Sequence, residues 1–294
     1  MEEIIVIIGP TGVGKTKLSI ELAKKINAEI INGDSVAVYK ELNIGSAKPT
    51  IAEREGIPHH LLDIKTVEEE YSVFDYQQAV REKMKEITSR GKRVIIVGGT
   101  GLYIKAALYN YKFTEGTTYY SYENLTNQEI YQKITKYEKE PSVHINNRKR
   151  LIRLLNKYEN KEEMTYDKDE LLYPAIFIGL TTEREILYER INKRVDEMLG
   201  NNLLEEIISL KDKYPKSRIL NTGIGYKEFY SYLYENKLLT EVVDQIKQNS
   251  RRYAKRQYTF FNHQFPTRWV SVNFTNFEET IQEVYQQIQK KKEA

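Results

Sequence analysis

The sequence predicts an α/β fold, a parallel sheet flanked by helices on both faces and interrupted by a small helical insertion. Three observations carry that prediction. Apolar strand runs alternate with helical repeats, a glycine-rich loop joins the first strand to the first helix, and the composition changes abruptly near residue 111. A chain of 294 residues suffices for one such domain carrying a smaller insertion.

The first strand is "EIIVII", 3–8, apolar on both faces as a central parallel strand must be. After the glycine loop, Leu18, Leu22 and Ile26 fall on one helical face. A short strand, "AEIIN" at 28–32, completes a βαβ start. Residues 75–90 repeat Tyr76, Val80, Met84 and Ile87 at helical spacing. Gly91 ends that helix, and the strand "RVIIV" at 93–97 follows it. Core patterning stops at residue 111. The stretch "YYSYENLTNQEIYQKITKYEKE" is polar and tyrosine-rich, which predicts short helices outside the main core. The pattern returns at "YPAIFIGL", 173–180, followed by a long helix with Leu187, Ile191, Val195 and Met198 inward. The expected division is therefore a core of 1–111 and 173–294 around an insertion of 112–172. No repeat is present, and the tail "KKKEA" is expected to fray.

Composition excludes several chemistries. With no cysteine there are no disulfides, no thiolate zinc site and no thiol catalysis. Four scattered histidines leave little for a metal centre. The charge balance of 45 basic against 42 acidic residues means that any nucleic-acid surface must come from local clustering. The chain opens directly into a strand pattern without a basic leader, and it contains no apolar run near 18 residues. A cytoplasmic, soluble protein is the expectation.

The loop "GPTGVGKT" satisfies the P-loop pattern through Gly9, Gly14, Lys15 and Thr16, between a strand and a helix. Gly12 and Gly14 let backbone N–H groups turn toward an anion, Lys15 reaches phosphate oxygens, and Thr16 offers a hydroxyl to Mg²⁺. The bland alternative is a glycine turn that binds nothing. A nucleotide hydrolase also needs a strand ending in Asp. Here "RVIIVGGTGLY" ends in Gly98, Gly99 and Thr100, which supply hydrogen-bond donors or simply permit close packing. Asp34, after "EIING", lies where a parallel strand opens toward the same crevice. It either accepts a proton from a nucleophile or closes an Asx-turn.

Together "GPTGVGKT", "INGDSVAVYKELNIGSAKPT", "GIPHHLLDI", "VGGTGLYIKAAL", "NNRKRLIRLL", "LYERINKRVDEML", "GIGYKE" and "YAKRQYTFF" resemble the bacterial tRNA dimethylallyltransferase (tRNA isopentenyltransferase) family along most of the chain. The resemblance implies a P-loop NTPase-like core. It also implies transfer of a dimethylallyl group from dimethylallyl diphosphate to N6 of an adenosine beside the tRNA anticodon, with Mg²⁺ assisting and diphosphate leaving. No γ-phosphoryl transfer occurs in such a reaction, so the missing strand-end carboxylate ceases to be a puzzle. In this frame Gly9, Pro10, Thr11, Gly12, Val13, Gly14, Lys15 and Thr16 hold diphosphate, with Thr16 on the metal. Asp34 is the general base, Thr100 sits at the bridging oxygen, and Ser35, Val36, Ala37 and Tyr39 face the target base. The base must leave its stack to enter a crevice.

Two basic stripes suit tRNA phosphates: Lys149, Arg150 and Arg153, beside Arg148, and Arg252, Lys255 and Arg256. From charge alone either is equally a solvated helix face. Arg190 and Arg194 either clamp the diphosphate or pair with Glu189, Asp196 and Glu197, and surface pairing is the commoner fate. The tyrosines of the insertion either stack on bases or form a small core. Ala37, Thr222 and Asn262 depart from the family's usual Gln, Arg or Gln, and Arg, and the zinc finger of some eukaryotic members is absent. A monomer without membrane contact is expected. The competing readings are a P-loop small-molecule kinase, an adenylate isopentenyltransferase acting on free AMP, ADP or ATP, and an RNA-binding module with a vestigial loop. The stripes, the insertion, and the intact Lys15 and Thr16 argue against the last two.

Overall fold

A computed structural model describes residues 2–111, 113, 120–160 and 170–290. Six parallel strands form one sheet: β1 (Ile4–Ile8), β2 (Ala28–Asn32), β3 (His59–His60), β4 (Arg93–Val97), β5 (Ala175–Thr181) and β6 (Arg268–Ser271). Their order is β3-β2-β4-β1-β5-β6, with β1 between β4 and β5. The helices are α1 (Lys15–Ile26), α2 (Val73–Ser89), α3 (Gly101–Leu108), α4 (Asn127–Ile134), α5 (Arg148–Glu159), α6 (Arg184–Gly200), α7 (Leu203–Lys213), α8 (Arg218–Thr222), α9 (Phe229–Tyr234), α10 (Leu239–Gln264) and α11 (Phe277–Lys290). Among the described residues no helix is long and apolar enough to cross a membrane.

The alternation of β1 shows how two cores arise from one strand. Ile5 and Ile7 pack with Leu18 and Leu22 of α1, Leu187 and Ile191 of α6, and Ile281 and Val284 of α11. Ile4, Val6 and Ile8 pack on the opposite face with Tyr76, Val80 and Met84 of α2 and Ile104 of α3. A side-chain period of two places these sets on opposite sides, and helices cover both.

The predicted strands and helices appear, with shifted ends. The second helix starts at Val73 because Ser72 and Asp75 form a reciprocal cap, the Ser72 hydroxyl accepting from Asp75 N and the Asp75 carboxylate from Ser72 N. Gly91 follows this helix in the left-handed region (φ 69°). Leu187, Ile191 and Val195 of α6 are buried as expected, and Met198 is partly buried.

A third apolar cluster has no counterpart in the sequence pattern. Val38, Tyr39, Leu42 and Val67 pack with Leu203, Ile207 and Leu210 of α7, and with Leu220, Tyr226, Phe229, Val242 and Ile246. Separate stretches far apart in the chain build it, so no single window displays it.

The chain divides into two compact units, 1–109 with 171–294 and 110–170. The expected insertion, 112–172, includes residues 112, 114–119 and 161–169, which lie outside the described ones. Within the smaller unit α4 and α5 close on Ile130, Ile134, Leu151, Ile152, Leu154 and Leu155. Tyr122, Tyr131 and Tyr158 support this small core. Tyr137 stacks on Tyr158 at 4.9 Å yet stays 54% exposed.

Candidate active site

The loops after β1, β2 and β4 open at the same edge of the sheet, the usual place for a ligand in a parallel α/β protein. Between them, and between α6 and α10, runs a crevice of about 970 Å³. It is lined by Thr11, Gly12, Gly14, Lys15 and Thr16 of the P-loop, by Asp34, Ser35, Val36 and Ala37, by Gly98 and Gly99, and by Arg190, Arg194, Tyr253 and Arg256.

Lys15 donates from Nζ to the Pro10 carbonyl at 2.7 Å. Burial, aided by the neighbouring Arg194 charge and opposed by Asp34, pulls its pKa down to about 7. Arg194 donates to Thr11 Oγ1 at 3.0 Å, and Arg190 donates to the Gly12 carbonyl at 3.0 Å while its guanidinium lies 3.9 Å over the Phe274 ring. Surface pairing of these arginines is therefore not what the fold adopts. Asp196 pairs instead with Lys247, and Glu197 with Lys193. Both arginines face the phosphate loop because α6 packs Leu187 and Ile191 into the core behind it, Ile191 lying directly against Gly12.

Asp34 closes the Asx-turn and leaves its second carboxylate oxygen beside the crevice. Its Oδ1 accepts from Val36 N at 2.8 Å and Ala37 N at 3.4 Å, an Asx-turn. The other oxygen, Oδ2, faces the Gly99 wall of the crevice, 3.8 Å from where a Cβ on that glycine would stand. Asn32 holds the turn, accepting from Asp34 N at 3.0 Å and donating to Asp34 O at 2.9 Å. In the sequence Asn32 reads only as the last residue of the strand "AEIIN".

Thr100 accepts from Ser35 N at 3.0 Å through Oγ1 and donates to Ser35 Oγ at 3.2 Å. Its hydroxyl thus stitches the two loops together without lining the crevice. The glycines before it serve packing: a Cβ on Gly98 would lie 2.2 Å from the Gly33 backbone. Gln257, buried on α10, accepts from Thr11 N at 3.3 Å and donates to Gly99 O at 3.0 Å, joining the phosphate loop to the β4 loop. Only its neighbours Lys255 and Arg256 stood out in the sequence, because charge is conspicuous and a buried amide is not. Tyr253 lies beside it, its hydroxyl pushed up to about 12 by burial and the Asp34 charge against the Thr100 bond.

Other expected site residues lie elsewhere. Tyr39 packs into the third apolar cluster and does not line the crevice. Gly9, Pro10 and Val13 are buried under the loop, where they shape it without facing the space. Arg252 and Lys255 are exposed on α10, and only Arg256 of that stripe lines the crevice. Lys149, Arg150 and Arg153 are exposed on α5 in the smaller unit. Their neighbour Arg148 is structural, donating to the carbonyls of Leu125 and Tyr122. Of the departures, Asn262 accepts from Trp269 Nε1 at 2.8 Å, Thr222 lines the crevice, and Ala37 is buried at its edge.

Among the described residues no three His, Cys, Asp or Glu side chains gather into a metal cage. The exposed Thr16 hydroxyl is instead a hard oxygen donor on the crevice wall. That donor set fits a magnesium ion held mainly by phosphate oxygens of a ligand.

The IPP transferase family model matches residues 37–264. The tRNA dimethylallyltransferase of Anoxybacillus flavithermus is 45% identical over 99% of this chain and 97% of its own. Among solved structures, the tRNA isopentenylpyrophosphate transferase of Bacillus halodurans superposes with a TM-score of 0.77 at 37% identity, covering 100% of this chain and 99% of that one. A eukaryotic dimethylallyltransferase acting on tRNA gives a TM-score of 0.77 at 31% identity over 92% of this chain and 74% of its own. Similarity of this extent, over a sheet whose P-loop faces an aspartate and no strand-end carboxylate, assigns the chain to the IPP transferase family.

Proposed function

We propose that the crevice transfers a dimethylallyl group from dimethylallyl diphosphate to N6 of the adenosine beside a tRNA anticodon. The carrying observation is the pairing of a cationic phosphate loop, Lys15 with Arg190 and Arg194, with the Asp34 carboxylate in one crevice.

The allylic C1–O bond breaks as the N6–C1 bond forms, and diphosphate leaves with the electron pair. An exocyclic adenine amine is a poor nucleophile, because its lone pair is delocalised into the ring. A base at the amine removes the proton that the new N–C bond makes acidic. Asp34 takes it on Oδ2, while Oδ1 stays fixed in the turn amides. Negative charge accumulating on the diphosphate is met by the Lys15 ammonium, the two arginines and the loop amides. Thr16 would hold Mg²⁺, which when bound supplies further charge neutralisation on the leaving oxygens. The acceptor base enters flipped from its stack, and the α10 stripe and the cationic α5 face engage RNA phosphates. With tRNA as acceptor, the reaction belongs in the cytoplasm and asks for one chain only.

Mass spectrometry of tRNA nucleosides after incubation with dimethylallyl diphosphate and Mg²⁺ tests this. The expected product is N6-dimethylallyladenosine at the position beside the anticodon. Transfer to free adenine nucleotides in preference to an anticodon stem-loop, or phosphoryl transfer from ATP without prenylation, would overturn it.

A further inference from the structure

A half-buried carboxylate and a buried tyrosine behind the crevice tie two stretches of its wall together. In "NIGSAKP" three consecutive backbone N–H groups aim at a single carboxylate. Asn43 and Ile44 donate to Glu206 Oε2 at 3.1 and 2.8 Å, and Gly45 donates to Oε1 at 3.1 Å. The fourth donor is the Tyr226 hydroxyl, 2.9 Å from Oε1. Four donors on two oxygens fill the capacity of a carboxylate, and bonds to a charged acceptor are the stronger kind.

Neither Glu206 nor Tyr226 lines the crevice, and Tyr226 is fully buried. The segments they hold do line it: Gly45–Pro49 on one side and Thr222–Gly225, directly before Tyr226, on the other. The two are in close contact, since a Cβ on Gly45 would lie 2.5 Å from Tyr226 Cζ. The tyrosine therefore belongs to one wall by its backbone, packs on the other with its ring, and bonds the carboxylate that holds that other wall. Burial and the Glu206 charge keep its phenol far above the ordinary range, so the hydroxyl remains a donor. The two walls put Ala47 and Ile224 on the lining beside Ser46, Lys48 and Thr222, and Val195, Met198, Ile219 and Ile246 add further apolar surface to the crevice.

We infer that Glu206 and Tyr226 are positioning residues, a latch that fixes the 45–49 and 222–225 walls at one spacing and so seats the hydrocarbon end of the allylic donor. This rests on the prenyl-transfer reading of the crevice. The phosphate loop lies outside the latch, so diphosphate binding and hydrocarbon seating separate experimentally.

Tyr226→Phe keeps the ring and removes one bond. Glu206→Gln keeps the shape but leaves one acceptor oxygen and turns an N–H donor toward the loop amides. In both full-length variants, donor KM and kcat at saturating stem-loop RNA, binding of inorganic diphosphate, and amide hydrogen exchange at 43–45 are measured. The expected result is exchange at 43–45 and donor KM each raised by about tenfold or more in Glu206→Gln, the loss of bonds to a charged group. Kcat and diphosphate affinity change much less, and Tyr226→Phe gives a smaller effect of the same pattern. Unchanged exchange and KM would overturn the latch. So would faster exchange throughout β1 and β4 with parallel loss of diphosphate binding, the signature of general loosening. A wild-type chain that transfers no prenyl group defeats the reading of the crevice instead, and the exchange at 43–45 still decides whether the latch exists.

Discussion

In the proposed reaction Asp34 has two jobs in one side chain, and they can be separated. Its Oδ1 closes the turn to Val36 and Ala37, a job an amide oxygen also does. Asp34→Asn should therefore fold with wild-type thermal stability and bind tRNA within a few-fold, while turnover falls by about 10²–10⁴, the usual worth of a positioned general base. Single-turnover assays beside a filter-binding titration check both halves. Lys15 carries a pH signature. Its free-state pKa of about 7 lies below the ordinary 10.5 through burial and the Arg194 charge. A bound diphosphate favours the charged ammonium and raises that value. Below about pH 7 the lysine is already charged and adds no pH dependence. As pH climbs above it, binding must take up a proton, and affinity falls by up to about tenfold per unit until the raised pKa is passed. Calorimetry at pH 8 in buffers of different ionisation enthalpy should show an uptake of up to one proton that Lys15→Met abolishes.

At the scale of elements, the site is held by short bonds between neighbouring strand ends. Gly33 N donates to Val97 O at 2.7 Å and Thr100 N to Gly33 O at 3.1 Å, so the β2 and β4 loops are one object. Gly98→Ala would drive a methyl into the Gly33 backbone and displace Asp34. A loss of roughly 1–3 kcal/mol is expected, as for other overpacked sites, accompanied by lost turnover. Ser72→Ala is the contrasting case. It removes the α2 cap, far in sequence from the chemistry, and should cost about 1 kcal/mol in denaturant unfolding with kinetics unchanged. Both comparisons read stability and activity on the same preparations.

For the whole molecule, net charge says little and its distribution says more. The formal charge is only +3, yet α5 of the smaller unit exposes Lys149, Arg150 and Arg153 on one short helix. If these meet tRNA phosphates, replacing Arg150 and Arg153 by Ala weakens tRNA binding at low salt. The log–log salt slope then becomes shallower by roughly 0.9 for each phosphate that is no longer neutralised. Donor KM stays at the wild-type value, because both arginines are remote in sequence from every crevice residue and belong to the other unit. An unchanged slope would leave α5 as a solvated face.

Local periodicity and special residues made part of this protein legible from its sequence alone. The two-faced β1, the helical stripes of α1, α2 and α6, and the P-loop glycines with Lys15 and Thr16 all show within windows of a dozen residues. Burial on a given face repeats at a fixed spacing, and a loop that cups an anion needs particular residues in order. Tertiary packing settled the rest. It sent Arg190 and Arg194 to the phosphate loop, moved Tyr39 into a core shared with α7 and α10, and made Arg148 a scaffold. It also recruited Asn32, Glu206 and Gln257, polar residues whose partners lie close by in one case and across most of the chain in the others. A side chain's type fixes which bonds it can make, but which donor stands opposite depends on how distant segments pack, and no local pattern carries that.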